Sequence, residues 1–311
     1  MKWIKKGLIF KPENQINWMF SHAQRPTAIV LNDRIRIFFS ARLENQQPIL
    51  TFLDVEINNP QKIISINQTP VLEPGRKGTF DENGILPGCF LEKDNCLYLY
   101  YTGWSRSKNV PYKNFTGLAI SKNDGISFEK YSEAPVFTLN KFDPLSAMGP
   151  YIIHNDNQYL AIYTSGKNWI EIDERLEHTY LLTYATSENA VDWFPSGKII
   201  IQPDDEFQSL CNPSIIEING IYHLWFSYRG SHNFRNPGNT SYKIGYAYST
   251  DLINWTRNDS EAGINVSAEG WDSEMICYSF IVKVDTKYLM FYNGNGFGKS
   301  GFGYAELSEF Q

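Results

Sequence analysis

The chain has 311 residues, of which 42% are hydrophobic and 20% charged, with a formal net charge of −6. That length suffices for one large core or two small domains. The acidic balance argues against nucleic acid or an anionic membrane as the main partner, and no run of about 18 apolar residues is present that could span a bilayer.

The 19 Tyr, 20 Phe and 8 Trp favour strands over helices. The N-terminus, MKWIKKGLIFKPEN, carries Lys early, but its apolar stretch is short and no small-residue cleavage site follows, so it reads as structure rather than as a signal peptide. Cys89, Cys96, Cys211 and Cys277 form neither a CxxC pair nor a Cys/His metal spacing. The expectation is free thiols in a reducing cytoplasm, with no metal and no cofactor.

Taken in chain order, the rest of the sequence is a succession of apolar and Tyr-rich strands. The first unit holds RPTAIVL (25–31) and IRIFFSAR (35–42). The second holds LPGCFLE (86–92), YLYYTGW (98–104) and GLAIS (117–121), and the third GPYIIH (149–154), YLAIYTSG (159–166) and TYATS (183–187). The fourth holds NPSIIEI (212–218), YHLWFSYRG (222–230) and GYAYS (245–249), and the fifth MICYSFIV (275–282), YLMFYNGNG (288–296) and GYAEL (303–307). Pro87, Pro150 and Pro213 stand 63 residues apart, Ile276 falls 63 after Pro213, and Pro26 precedes Pro87 by 61. Third strands run into Ser-initiated turns that end in an aromatic residue: SKNDGISF, SENAVDW and STDLINW.

Five matching registers of short antiparallel strands predict an all-β fold: a single five-bladed β-propeller of four-stranded blades over residues 1–311. A β-sandwich is the runner-up, but it does not account for the registers. The fifth unit ends without an outer strand, while WIKKGLIF (3–10) resembles WFPSGKII (193–200), the outer strand of the third unit. The N-terminal strand is therefore expected to complete the last blade and cover its edge.

In a propeller the innermost strands line a central channel. The residue pairs at the mouths of these strands are Gln24-Arg25, Ile85-Leu86, Met148-Gly149, Cys211-Asn212 and Glu274-Met275. Glu274 is the one carboxylate among them, Arg25 the one strong cation, and Asn212 the other polar candidate. A charge there is costly unless paired or functional. Either Glu274 meets Arg25 as a structural pair, or both face a ligand. Aromatic–Asp dipeptides recur at Phe80-Asp81, Phe142-Asp143 and Trp271-Asp272. For Asp143 and Asp272 the reading is a turn cap that accepts backbone N–H groups. Asp81, beside Glu82 and two nearby glycines, stands evenly between cap and function. Loops after the second strands offer Trp104 and Trp169 as flat faces for sugar rings. They also offer Arg42, Arg106, Lys167, Arg229, His232 and Asn293 as hydrogen-bonding groups, and Glu171 and Asp173 in the most polar loop. The Arg and Lys content there points to an anionic group on the ligand.

GTFDENGILP (78–87), YLYYTGW (98–104), SKNDGISFEKY (121–131) and GWDSEMICY (270–278) resemble segments of the five-bladed propeller glycosidases, the group that includes glycoside hydrolase families 43, 32, 68 and 130. As a repeat pattern the resemblance covers nearly the whole chain. It implies a carbohydrate-active enzyme that cleaves or transfers a glycosidic bond between two carboxylates about 5–10 Å apart. On that reading Glu274 is the general acid, Asp81 the base or nucleophile, and Glu171 its reserve. His22, Arg25, Arg42, Asn212, Arg229, His232 and Asn293 would contact substrate, and Trp104 and Trp169 would stack on its rings. Families 43 and 32 place an Asp on the inner strand of the first blade, where this sequence reads SHAQRP, and the third unit opens with the uncharged SAMGP. Family 130 implies phosphorolysis with basic residues on phosphate. A glycan-binding propeller without catalysis is the alternative that the missing carboxylates favour.

Overall fold

The computed structural model describes every residue except 14, 15, 156, 157, 237, 239, 310 and 311. Among the described residues the regular structure is almost entirely strand, apart from a 3₁₀ turn at Asp259–Glu261 and a short helical turn at Asn295–Gly298. The strands form three antiparallel sheets of four and one of eight. The eight-stranded sheet consists of two four-stranded groups joined by a single parallel bridge between Ala147 and Phe115. The all-β expectation holds.

Each group is built the same way. A first strand pairs with an aromatic-rich second strand, the second with a third, and the third with an outer strand that is short in all groups but the last. The second strands, Arg34–Arg42, Cys96–Arg106, Gln158–Ile172, Ile221–Arg229 and Lys287–Asn293, send Phe38, Tyr100, Tyr163, Trp225 and Phe291 into the space between sheets, where each is fully buried. Rings from neighbouring sheets meet there, as Phe38 does with Phe90 at 4.7 Å and Trp225 with Trp3 at 5.4 Å between centroids. The five first strands also lie against one another. Ser21–Val30 contacts Ile85–Lys93 and Cys277–Val284, Ala147–Asn155 contacts Ile85–Lys93 and Ser209–Ile218, and Ser209–Ile218 contacts Cys277–Val284.

The proline register has a local cause. Every first strand breaks its ladder at the same place, between Gln24 and Thr27, Pro87 and Cys89, Met148 and Tyr151, Cys211 and Ser214, and Cys277 and Phe280. Such bulges tolerate a residue without an N–H, and Pro26, Pro150 and Pro213 occupy three of them. Beside them Arg25, Gly149, Asn212 and Tyr278 take left-handed backbone with φ of 58°, 57°, 56° and 56°. The Ser-initiated turns are equally regular. Ser121, Ser187 and Ser249 each accept two backbone N–H groups of the following turn through the hydroxyl oxygen.

The Asp repeats are buried clamps rather than caps on backbone amides. The Tyr101 hydroxyl donates to Asp81 Oδ2 at 3.0 Å, Tyr163 to Asp143 Oδ2 at 2.6 Å, and Tyr292 to Asp272 Oδ2 at 2.9 Å. Lys130 Nζ adds a contact to Asp81 at 2.6 Å, Asn140 Nδ2 one to Asp143 at 2.7 Å, and Lys5 Nζ one to Asp272 at 2.6 Å. Burial first, then the adjacent carboxylate, pushes all three tyrosine hydroxyls well above their ordinary range, so they remain protonated donors.

Lys5 belongs to Lys2–Phe10, which pairs antiparallel with the last strand, Phe302–Glu309, as the sequence suggested. Removing residues 1–10 strips away the buried Trp3 and Phe10 and leaves Asp272 without Lys5. The truncated chain is expected to melt more than about 10 °C lower than the full chain in a thermal unfolding scan. A truncation that melts within a few degrees of it would contradict this role. Tyr101→Phe leaves the buried Asp81 one donor short and is expected to cost about 1–3 kcal/mol in denaturant titration, while Tyr98→Phe, at a tyrosine for which no clamp is seen, serves as the comparison.

Candidate functional site

The bulges aim side chains from all five first strands into one cavity of about 560 Å³. Gln24, Arg25, Leu86, Gly149, Asn212 and Tyr278 line it from the first strands, and Arg42, Thr102, Trp104, Tyr180, Arg229 and Tyr242 also line it. Arg106, Phe234 and Arg235 lie along it as well. Among the described residues that line it there are five arginines and no Asp or Glu.

Arg25 is 8% exposed. Its backbone N–H donates to Asn293 Oδ1 at 2.7 Å, Nη1 donates to Thr102 Oγ1 at 3.2 Å, and Nη2 donates to Asn212 Oδ1. Its partners are thus neutral, and burial lowers its pKa. Gly149 makes room for it, since a Cβ there would stand 2.8 Å from Arg25 Nη2. Arg42 reaches Gln24 Oε1 at 3.4 Å, has a buried Nε with no hydrogen-bond partner among the described residues, and is likewise lowered by burial.

The other arginines are differently placed. Arg229 donates to the Tyr180 hydroxyl, to the Gly230 carbonyl and to the His178 carbonyl, and it lies 3.8 Å over the Phe234 ring. Arg235 forms a two-pronged pair with the buried Glu177. Burial raises the Tyr180 and Tyr242 hydroxyls, which hydrogen-bond each other, and pushes the Cys211 thiol up to about 11, so these groups are neutral at pH 7. All four cysteines are free thiols.

Of the residues singled out in the sequence, Arg25, Arg42, Trp104, Asn212 and Arg229 line the cavity together, with Arg106 beside them. The three carboxylates expected to do chemistry stand elsewhere. Asp81 is enclosed in its clamp with Tyr101 and Lys130. Glu171 is exposed on the strand that ends at Ile172. Glu274 is exposed, its backbone N–H donating to Asn295 Oδ1, and among the described residues it forms no ion pair with Arg25. Asn293 is fully buried behind Arg25, holding that strand through the Ala23 carbonyl and donating as well to the Gly301 carbonyl. Trp169 lies flat on the His178 ring at 4.4 Å, which covers one of its faces. His232 is exposed next to Phe207, and His22 is part-buried beside Ser21, both off the cavity lining.

Tyr180 and Tyr242 were not picked out from the sequence. They lie 62 residues apart, Tyr180 on the third strand Arg175–Ser187 and Tyr242 just before the third strand Lys243–Ser249, a spacing close to that of the repeat and the available signal. Among the described residues no group of three or more His, Cys, Asp or Glu side chains could hold a metal ion.

The histidines predict an acid response. Burial holds His22 down to about 4, with Arg42 and Lys299 adding to it, His178 to about 3 with Arg229 adding to it, and His223 to about 4. In the unfolded chain they bind protons below about 6.5. The unfolded state therefore takes up more protons as pH falls from about 6.5 toward about 4, and stability drops across that window. The melting temperature is expected to fall steadily from pH 7 to 4.5, less steeply in His22→Asn. A profile that is flat over this range would contradict the placement of these rings.

Comparison with known proteins places this site in context. Residues 66–206 match the model of the glycosyl hydrolases family 32 N-terminal domain. The Mycobacterium tuberculosis (strain ATCC 25618 / H37Rv) protein named "Uncharacterized protein Rv1502" is 34% identical over 99% of both chains. A 1,2-beta-oligomannan phosphorylase of Thermoanaerobacter sp. (strain X514) is 24% identical over 62% of this chain and 59% of its own. Among solved structures, one described as a glycoside hydrolase superposes with a TM-score of 0.78 at 16% identity, covering 99% of this chain and 92% of the other.

Proposed function

We propose, because this chain belongs to the family of the Mycobacterium tuberculosis protein Rv1502 and its residues 66–206 match the family 32 N-terminal domain, that it cleaves or transfers the glycosidic bond of a carbohydrate at the arginine-lined cavity, with an oxyanion bound there. The architecture that goes with this reading is a single five-bladed propeller, supported by the cyclic contacts of the five first strands. The N-terminal strand is the outer strand of its last blade.

The observation that carries the reading is the lining itself: Arg25, Arg42, Arg106, Arg229 and Arg235, with no Asp or Glu among the described residues. Hydrolysis by two carboxylates needs a pair about 5–10 Å apart across the scissile bond, and the cavity wall offers cations, hydroxyls and amides instead. Phosphorolysis asks less of the protein. Hydrogen phosphate attacks the anomeric carbon, the glycosidic C–O bond breaks, a sugar phosphate forms, and the phosphate's own proton goes to the leaving oxygen. Some of the lining arginines hold the phosphate and offset its charge. Trp104 and the tyrosines supply the apolar faces on which a sugar ring rests. Similarity to the oligomannan phosphorylase agrees with this form of the reaction. Glycan binding without catalysis is the second reading, favoured by the placement of Asp81, Glu171 and Glu274 away from the cavity.

The test is a screen of aryl glycosides and oligosaccharides with and without phosphate, on wild type, Glu274→Gln and Asp81→Asn. Turnover that requires phosphate and survives in Glu274→Gln is expected, with Asp81→Asn losing melting temperature more than chemistry. Phosphate-independent turnover abolished in Glu274→Gln would overturn the reading. Sugar-induced thermal shifts without turnover under either condition would establish binding alone.

A further inference from the structure

The five cavity arginines are not equivalent. Arg235 is matched by the Glu177 carboxylate, and Arg229 directs Nε, Nη1 and Nη2 to protein oxygens. Arg106 is exposed, where water solvates a guanidinium at little cost. Arg25 and Arg42 differ from all three. They sit on paired strands, Ser21–Val30 and Arg34–Arg42, with Gln24 between them. Arg25 is buried among neutral acceptors, and the buried Nε of Arg42 has no acceptor among the described residues. Neither has a carboxylate in ion-pair contact among the described residues, and the part-buried His22 lies close enough to feel the Arg42 charge. A buried cation without a counter-charge is destabilising as a rule. Such an arrangement persists where a ligand supplies the missing charge.

We propose that Arg25 and Arg42 form the anion-recognition subsite of this cavity, taking a phosphate or carboxylate oxyanion between them, while Arg229 and Arg235 build the wall. This rests on the reading that the cavity is the carbohydrate site. It goes further in assigning which cations meet the anion and which hold the protein together. Asn293 and Gly149 are positioning residues here: the first fixes the Arg25 backbone, and the second leaves space for its guanidinium.

The test measures anion binding by the full chain directly. Inorganic phosphate and D-glucuronate are titrated separately by calorimetry at constant ionic strength into wild type, Arg42→Gln, Arg25→Lys, Arg106→Gln and the remote Arg76→Gln. The melting temperature of each variant is measured with and without anion. Arg42→Gln is expected to weaken binding at least about tenfold, in line with a lost charge-assisted contact. Its anion-free melting temperature is expected to stay level or rise, because an unmatched cation has gone, whereas a structural role would lower it. Arg106→Gln is expected to change binding less than about threefold, as for an exposed charge, and Arg76→Gln not at all. Should Arg25→Lys fold poorly, Gly149→Ala, which displaces the same guanidinium, replaces it.

Binding of phosphate alone points to the free anion, and binding of glucuronate alone to an acidic sugar. The proposal is overturned if wild type binds neither anion, if Arg42→Gln binds as wild type does, or if Arg106→Gln loses as much as Arg42→Gln. Anion binding without glycoside turnover would sink the catalytic reading and leave this subsite standing. Glycoside turnover that is unchanged in Arg42→Gln would do the reverse.

Discussion

The recurring bulge in the first strand is the constraint on which the rest of this molecule depends. A regular strand would direct alternate side chains to opposite faces without interruption. The extra residue breaks that alternation in all five first strands at one level, and at four of them the backbone turns left-handed, at Arg25, Gly149, Asn212 and Tyr278. The consequence is a ring of side chains that face one another across a cavity. The proline register, the space left by Gly149 and the contact between Arg25 and Asn212 all follow from it.

Charge is distributed in two classes. Carboxylates that are buried have partners: Asp81, Asp143 and Asp272 in tyrosine clamps, Asp54 with Arg36, and Glu177 with Arg235. Two of the cations at the cavity stand apart from this pattern, because Arg25 and Arg42 are desolvated against neutral groups. The protein thus satisfies its buried acids internally and leaves unmatched positive charge at this cavity. Electrostatic attraction in such a recess is stronger than at an open surface, since less water screens it. The basis of selectivity in this account is that field together with the aromatic wall of Trp104, Tyr112 and Tyr242.

The strand order, the aromatic second strands and the pairing of the N-terminal strand were legible in the sequence because each is a repeat, and a repeat reports on packing. The same logic located Arg25 and Asn212, which occupy a repeated register with unlike residues. It also singled out Asp81 and Glu274, which stand off the cavity lining, and read Asp272 as a cap. Asp81 and Asp272 stand next to an aromatic residue in equivalent places, and what they accept is a tyrosine hydroxyl from the adjacent second strand, a contact across the sheet that no local spacing reveals. Glu274 precedes a register position, yet its strand begins at Cys277, so the side chain falls outside the ring. Tyr180 and Tyr242 were passed over because Tyr is abundant throughout, and only their shared spacing separates them from tyrosines that fill the core.

The central claim is that this fold presents a cationic recess, without an acid of its own, to an oxyanion. A crystal structure grown with phosphate or an acidic sugar tests it most directly. The account predicts anion oxygens about 3 Å from the guanidinium nitrogens of Arg25 and Arg42, with Glu274 still outside. An anion held only by Arg106 at the exposed side, or a carboxylate side chain turned into the cavity beside the sugar, would contradict it.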